Sequence, residues 1–218
     1  MIGTTADKAT LAAFLGIVVL GGGNGVAVRF SNHELAPFWG ATLRFGIVAL
    51  VLLAVVLIRR VPFPRGAAFT GSVLYGTLGF AGALGFIYWG LVKAPAGASQ
   101  VILAVVPLLT LLFALLQGLE QFRAQGLAGA LLALVGIAVV FGERAGSGVP
   151  VPSMLAVLAG AACMAESNVV VKRLPKCHPV ANNAVAMGAG ALILLIVSVL
   201  AGETHGLPGD AKTWSAVA

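Results

Sequence analysis

The segment PFWGATLRFGIVALVLLAVVLI, residues 37–58, contains a single charged side chain, Arg44, among its 22 residues. An α-helix needs about 20 consecutive apolar residues to cross the hydrocarbon core of a bilayer. Pro37 suits the first position, because the first N–H groups of a helix have no partner within it. The segment therefore predicts a transmembrane helix, and it decides the fold class of the chain.

Apolar blocks of similar length lie on both sides of this segment. Of the 218 residues, 60% are hydrophobic and only 9% are charged, against roughly 25% charged residues in soluble domains. These features predict an all-α membrane protein of about seven transmembrane helices joined by short loops. The predicted spans are residues 11–28, 37–58, 68–92, 95–119, 124–141, 151–171 and 179–201.

The basic residues of the loops predict the orientation, since Lys and Arg are enriched in short cytoplasmic loops. A cytoplasmic N-terminus places eight of them inside and four outside. We therefore expect a multi-pass protein of the cytoplasmic membrane. The net charge of +6 comes with no nucleic-acid-binding motif, so the bilayer is the expected partner, and no oligomeric state is indicated. The inside set is Lys8, Arg59, Arg60, Arg65, Arg123, Lys172, Arg173 and Lys176; the outside set is Arg29, Lys93, Arg144 and Lys212.

The ends of the first and sixth spans are similar in pattern. Residues 23–29, GNGVAVR, and 166–172, ESNVVVK, each lead through a short polar loop to a proline, Pro37 or Pro179. This correspondence predicts a five-helix repeat whose second copy is inverted, as in many secondary transporters. We expect a first repeat at residues 10–142, and a partial second repeat at 151–218 that lacks about three helices of a ten-helix protein.

Glycine and proline mark irregular places in three spans. The run from Gly21 to Gly25 contains four glycines, each costing a helix roughly 1 kcal/mol relative to alanine. It indicates either simple close packing or a flexible, cavity-lining first helix, and favours the second. Small residues in the third span predict close packing on more than one side. Pro107 predicts a kink in the fourth helix.

Four stretches resemble the EamA family of the drug/metabolite transporter superfamily. They are PFWGATLRF at 37–45, YWGL at 88–91 followed by APAGASQ at 94–100, VPLLT at 106–110 leading to Glu120, and GALLALVGI at 129–137. The resemblance implies ten helices in two inverted repeats, cytoplasmic termini, and transport or export of small metabolites. The chain departs from the family in lacking counterparts of its last three helices.

Two charged residues within spans are the strongest candidates for a site, because charge inside a membrane is costly. Arg44 is either a structural anchor that snorkels outward or a cation that contacts substrate or gates the cavity. Glu166 either pairs with Lys172 or Arg173, or is a carboxylate that exchanges protons and couples transport to the proton. A direct Arg44–Glu166 pair is not expected, since the two lie near opposite faces.

Three uncharged residues complete the candidate site. Asn24 and Asn168 fall at corresponding places in the two repeats, and Gln100 opens the fourth helix. They either hydrogen-bond helix to helix or line a substrate path.

The function indicated is a secondary transporter, in the export direction, of small organic metabolites such as amino acids. No catalytic constellation, cofactor motif or metal-ligand spacing is present in the sequence, so neither an enzyme nor a cofactor is expected. A non-transporting assembly or regulatory subunit, or an inactive fragment, is the alternative. A lipid-modifying membrane enzyme is less consistent, since it needs a polar cluster at one interface.

Overall fold

The computed structural model describes residues 5–120, 150–175 and 177–209, together with 213–214 and scattered positions between 128 and 142. The fifth predicted span, 124–141, falls largely outside these residues. The three continuous ranges form helices and contain no strand. The helices are α1 (Thr5–Glu34), α2 (Pro37–Ile58), α3 (Ala67–Leu91), α4 (Ala96–Leu116), α5 (Val151–Arg173) and α6 (Pro179–Leu200).

Five of the described helices, α2 to α6, are long and apolar enough to cross a membrane. This confirms the prediction of an all-α membrane protein with multiple spans. The bounds of α2 agree with its predicted span at both ends, and α5 continues two residues beyond its predicted end to Arg173. The first predicted span lies within the longer α1, whose side chains are described only in part.

The glycine run does not break α1, which is helical without interruption from Thr5 to Glu34. Whether the run packs closely or lines a cavity stays a prediction. A helix satisfies its backbone hydrogen bonds internally, whereas free backbone groups in hydrocarbon each cost several kcal/mol. This cost exceeds the roughly 1 kcal/mol by which each glycine disfavours a helix.

The irregular helix is instead α3, in which Thr77–Leu84 is π-helical between two α-helical segments. Helix α3 packs closely against both α5 and α6, as its small residues predicted. A Cβ on Gly76 would overlap the main-chain oxygen of Ala186 in α6, and one on Gly90 would lie 2.8 Å from the oxygen of Ser153 in α5. Because glycine has no side chain, Gly76 and Gly90 let the backbone of α3 approach α6 and α5 closely, and they set the distance between these helices.

Helix α4 is interrupted at residues 104–105, between the segments Ala96–Leu103 and Val106–Leu116. Pro107 is at the start of the second segment, where it has no N–H to donate to the preceding turn. The fourth helix is thus interrupted just before Pro107, where the kink was predicted.

Helices α2 and α6 are antiparallel and pack along their length. Val56, near the end of α2, packs with Ala181 and Ala184, near the start of α6. At the other end, the Glu203 carboxylate accepts hydrogen bonds from the main-chain nitrogens of Phe38 and Trp39 at 3.2 and 2.9 Å. A carboxylate stabilises the free N–H groups at a helix start, and no adjacent side chain caps α2.

Candidate substrate-binding site

Arg44, on α2, is half-buried where α1, α2 and α3 meet. Its Nη1 donates a hydrogen bond to Oδ1 of Asn24 in α1 at 2.8 Å and a longer one to the Tyr88 hydroxyl of α3 at 3.5 Å. Tyr88 is only 1% exposed, and its main-chain oxygen accepts from Nδ2 of Asn32 at 3.0 Å. Three helices thus gather one cation, one carboxamide and one phenol.

The Arg44 side chain reaches Asn24, which lies about one turn further along the span than Arg44 itself. A Cβ on Gly40 of α2 would lie 3.0 Å from Ser31 Oγ of α1, so residues 31 and 40 are level. In antiparallel helices, residue 44 is then level with residue 27, and Asn24 lies about 4.5 Å deeper. The Tyr88 main chain lies at the other side of this level, beside Asn32 and near the ends of α1 and α3. Both interpretations of Arg44, a structural anchor or a cation that contacts substrate, stay predictions.

Glu166, on α5, is held by the end of α4. Nε2 of Gln117 contacts both carboxylate oxygens, at 2.7 and 2.8 Å. Arg173 Nη2 donates to the main-chain oxygen of Gln117 at 2.6 Å, and Lys172 pairs with Glu120 at 3.5 Å. The expected pairing of Glu166 with Lys172 or Arg173 is therefore not observed, because both cations have other partners.

The other two candidates lie apart from these contacts. Asn168 is exposed on α5, and Gln100 is half-buried near the start of α4. Neither side chain has a hydrogen-bond partner among the described residues. The structure therefore brings Asn24 and Arg44 together, places Glu166 in a separate cluster, and leaves Asn168 outside both.

A cavity of about 690 Å³ lies between α2, α3, α5 and α6. Its lining is almost entirely apolar, with Thr77 its one hydroxyl-bearing residue. Phe38, Ala81 and Leu194 line the cavity and also belong to the apolar cluster that packs on Tyr88. The cavity and the Arg44 contacts are thus neighbours across one packing layer, although Arg44 itself does not line the cavity. Pocket volumes of 300–1,000 Å³ suit small molecules.

Comparison with known proteins relates these helices to membrane transport. The model of the EamA-like transporter family matches residues 8–142, more than half of the chain. The chain belongs to the EamA-like transporter family.

Relatives of this EamA-family chain are also membrane proteins. It is 27% identical over 192 residues to the "Uncharacterized inner membrane transporter YedA" of Escherichia coli K12, and equally to that of E. coli O157:H7. The alignment covers 88% of this chain and 62% of each relative, so the chain spans under two thirds of their length. One crystal structure aligns over 97% of this chain and 72% of its own, with a TM-score of 0.64 and 27% identity.

Three residues of this family member that sequence reasoning did not select hold the polar contacts together: Tyr88, Gln117 and Glu203. Tyr88 was noticed only as part of a motif, although a phenol within a span needs a partner. Gln117 could have been found, because it is a polar residue at the end of the fourth span and Glu166 lies near the end of the sixth predicted span, which points the same way. Glu203 acts across 164 residues of sequence, and nothing local signals it.

No metal site accompanies these contacts. Within the described part of the chain, no group of three or more His, Cys, Asp or Glu side chains could hold a metal ion.

Proposed function

We propose that the protein is a secondary transporter that moves small organic metabolites, such as amino acids, across the cytoplasmic membrane by alternating access. The cavity between α2, α3, α5 and α6 is the observation that carries this proposal. It is lined by α2 and α3 of the proposed first repeat and by α5 and α6 of the proposed second repeat. Its size suits a metabolite rather than an inorganic ion.

The directions of the helices support an inverted repeat, with α5 and α6 as the counterparts of α1 and α2. Helix α2 packs antiparallel against α6, its own proposed counterpart. Two repeats related by an axis in the membrane plane bring equivalent helices together in opposite directions. In this proposal the first repeat covers residues 10–142, and residues 151–218 begin the second.

The proposal also includes the orientation, the direction of transport, the coupling ion and the way in which the helices move. The N-terminus is cytoplasmic, as the loop charges favour. Transport runs outward, and a proton exchanged at Glu166 couples it. Close crossings at glycine, such as Gly76 and Gly90, let helix groups rock against each other without long side chains between them.

Flux through the full-length protein tests the proposal. The protein is reconstituted in liposomes, and uptake and efflux of labelled amino acids, nucleosides and cationic drugs are measured with and without a pH gradient. We expect saturable flux of one class that responds to the gradient. The absence of flux for all three classes, from protein shown to be folded and inserted, would contradict transport and favour a non-transporting assembly or regulatory subunit.

The 218-residue chain is assayed beside a completed ten-helix form. We expect flux from the longer form, because the curated relatives extend well beyond the aligned region. Flux from the longer form alone would identify residues 1–218 as an inactive part of a transporter.

A further inference from the structure

Arg44 is a charge within a span that has no counter-ion among the described residues. Its hydrogen-bond partners, Asn24 and Tyr88, are both neutral. The ion pair between described residues, Lys172 with Glu120, lies elsewhere, at the ends of α5 and α4. A charge within a span is costly when it has no counter-ion, so binding of an anion would stabilise this position.

The unused donors around Arg44 converge from three helices. Only Nη1 of the guanidinium has a hydrogen-bond partner in the described residues, which leaves Nε and Nη2 available. The Tyr88 hydroxyl accepts from Arg44, so its own O–H remains free to donate. Nδ2 of Asn24 likewise has no acceptor among the described residues. The group therefore offers several donors and no negative charge, which is the composition of an anion site.

Resting on the proposed transport function, we propose that Arg44, Tyr88 and Asn24 bind the carboxylate of the transported molecule. A planar guanidinium binds the two oxygens of a carboxylate through parallel hydrogen bonds. Asn24 and Tyr88 hold Nη1 and so fix the plane of the guanidinium. One carboxylate balances one arginine, whereas a phosphate monoester carries about 1.5 to 2 negative charges and would leave an excess charge at membrane depth. The group recognised is therefore a single carboxylate, which an amino acid also carries.

The first test measures binding to the full-length protein in detergent micelles. Acetate and L-leucine are compared with acetamide and L-leucinamide, in which the carboxylate is replaced by a neutral amide, at constant ionic strength. A ligand that binds only the folded state raises the melting temperature. We expect stabilisation by the two acids and not by the amides. Stabilisation by the amides to the same extent as by the acids would overturn the proposal.

One variant and a matched control test whether the binding depends on Arg44. We expect Arg44→Met to weaken binding of both acids about 30-fold or more, as for the loss of one partner of a buried, hydrogen-bonded charge pair. Arg29→Gln is the control, because Arg29 donates to the main-chain oxygen of Ala94 at 3.1 Å and lies outside the proposed site. Equal losses in the two variants would contradict the assignment.

The variant Asn24→Asp guards against a result caused by misfolding. It places a carboxylate 2.8 Å from Nη1 of Arg44 with almost no change of shape. We expect a higher melting temperature together with loss of acid binding and of amino acid flux, because the protein's own carboxylate occupies the site. A more stable variant that still binds and moves acids would show that Arg44 has only a structural role.

The flux measurements separate this proposal from the transport function. If the wild-type protein moves nucleosides or cationic drugs, and Arg44→Met leaves that flux unchanged, transport stands and the carboxylate site is wrong. If no class of solute moves in any vesicle, the transport function itself fails.

Discussion

The Arg44 and Glu166 clusters both place a charge within a span, and both hold that charge with a neutral carboxamide. Asn24 holds Arg44 where α1, α2 and α3 meet, and Gln117 holds Glu166 between α4 and α5. They differ in what lies around them. Two cations, Lys172 and Arg173, lie within the turns that follow Glu166, whereas no anion among the described residues pairs with Arg44. One charge thus has opposite charge nearby, and the other has only neutral hydrogen-bond partners among the described residues.

This difference assigns separate tasks to the two clusters. Arginine stays protonated at any physiological pH, so Arg44 can bind an anion but cannot carry a proton. A glutamate held by a neutral amide can exchange a proton without breaking an ion pair. We therefore infer that substrate recognition and proton coupling are separated in this protein, the first where α1, α2 and α3 meet and the second between α4 and α5.

The largest effect is expected away from both charges, at the close crossing of α3 and α6. A side chain at Gly76 would overlap the main-chain oxygen of Ala186, and a main-chain obstacle cannot move aside as a side-chain rotamer can. We expect Gly76→Leu to lower the free energy of unfolding by about 3 kcal/mol, the upper end of overpacking costs, as measured by thermal unfolding in micelles.

The matched control is Gly46→Leu, in α2, where a new Cβ meets nothing within 4 Å. Both substitutions add the same side chain to a helix in a span, so helix propensity changes equally in both. Equal losses of stability in the two variants would mean that the contact between Gly76 and Ala186 does not set the separation of α3 and α6.

Sequence alone predicted the spans well, because the length of an apolar block and the thickness of a bilayer determine them. The bounds of α2 and the break before Pro107 follow from chemistry within a few residues of each feature. The π-helical stretch Thr77–Leu84 could not be predicted, because its turns lie where α3 contacts two helices distant in sequence.

The candidate site was predicted in its charges but not in its contacts. Arg44 and Glu166 stand out because charge is rare in spans. Their partners depend on rotation and register between helices, which an apolar sequence does not specify. Asn168 illustrates the limit, because its place in the repeat suggested an environment like that of Asn24, whereas it lies exposed on α5.

A second prediction separates the tasks of the two clusters by pH. We expect Glu166→Gln to abolish the pH dependence of transport, since an amide cannot exchange the proton, and to cost only about 1 kcal/mol of stability, because a neutral hydrogen bond to Gln117 replaces a charged one. The measurement is initial flux across a pH series in liposomes. The charged groups at the same helix ends are Arg173, which donates to the main chain of Gln117, and the Lys172–Glu120 pair.

Arg44→Gln is the counterpart in the same assay. It should lower flux of amino acids at every pH and leave the shape of the pH profile unchanged, because arginine does not titrate. A pH profile that persists in Glu166→Gln would make Glu166 a structural residue and remove the proposed division of tasks.

The smallest effect is expected at the Lys172–Glu120 ion pair. Its side chains are 55% and 48% exposed, and exposed pairs contribute about 0.2–1 kcal/mol. A double-mutant cycle of Lys172→Ala and Glu120→Ala, read by thermal unfolding, should therefore give a coupling energy below about 1 kcal/mol, and Lys172→Ala should keep the wild-type pH profile. A larger coupling, or a shifted profile, would mean that this pair acts on Glu166. The carboxylate would then belong to an ionic network, unlike Arg44, whose partners are neutral.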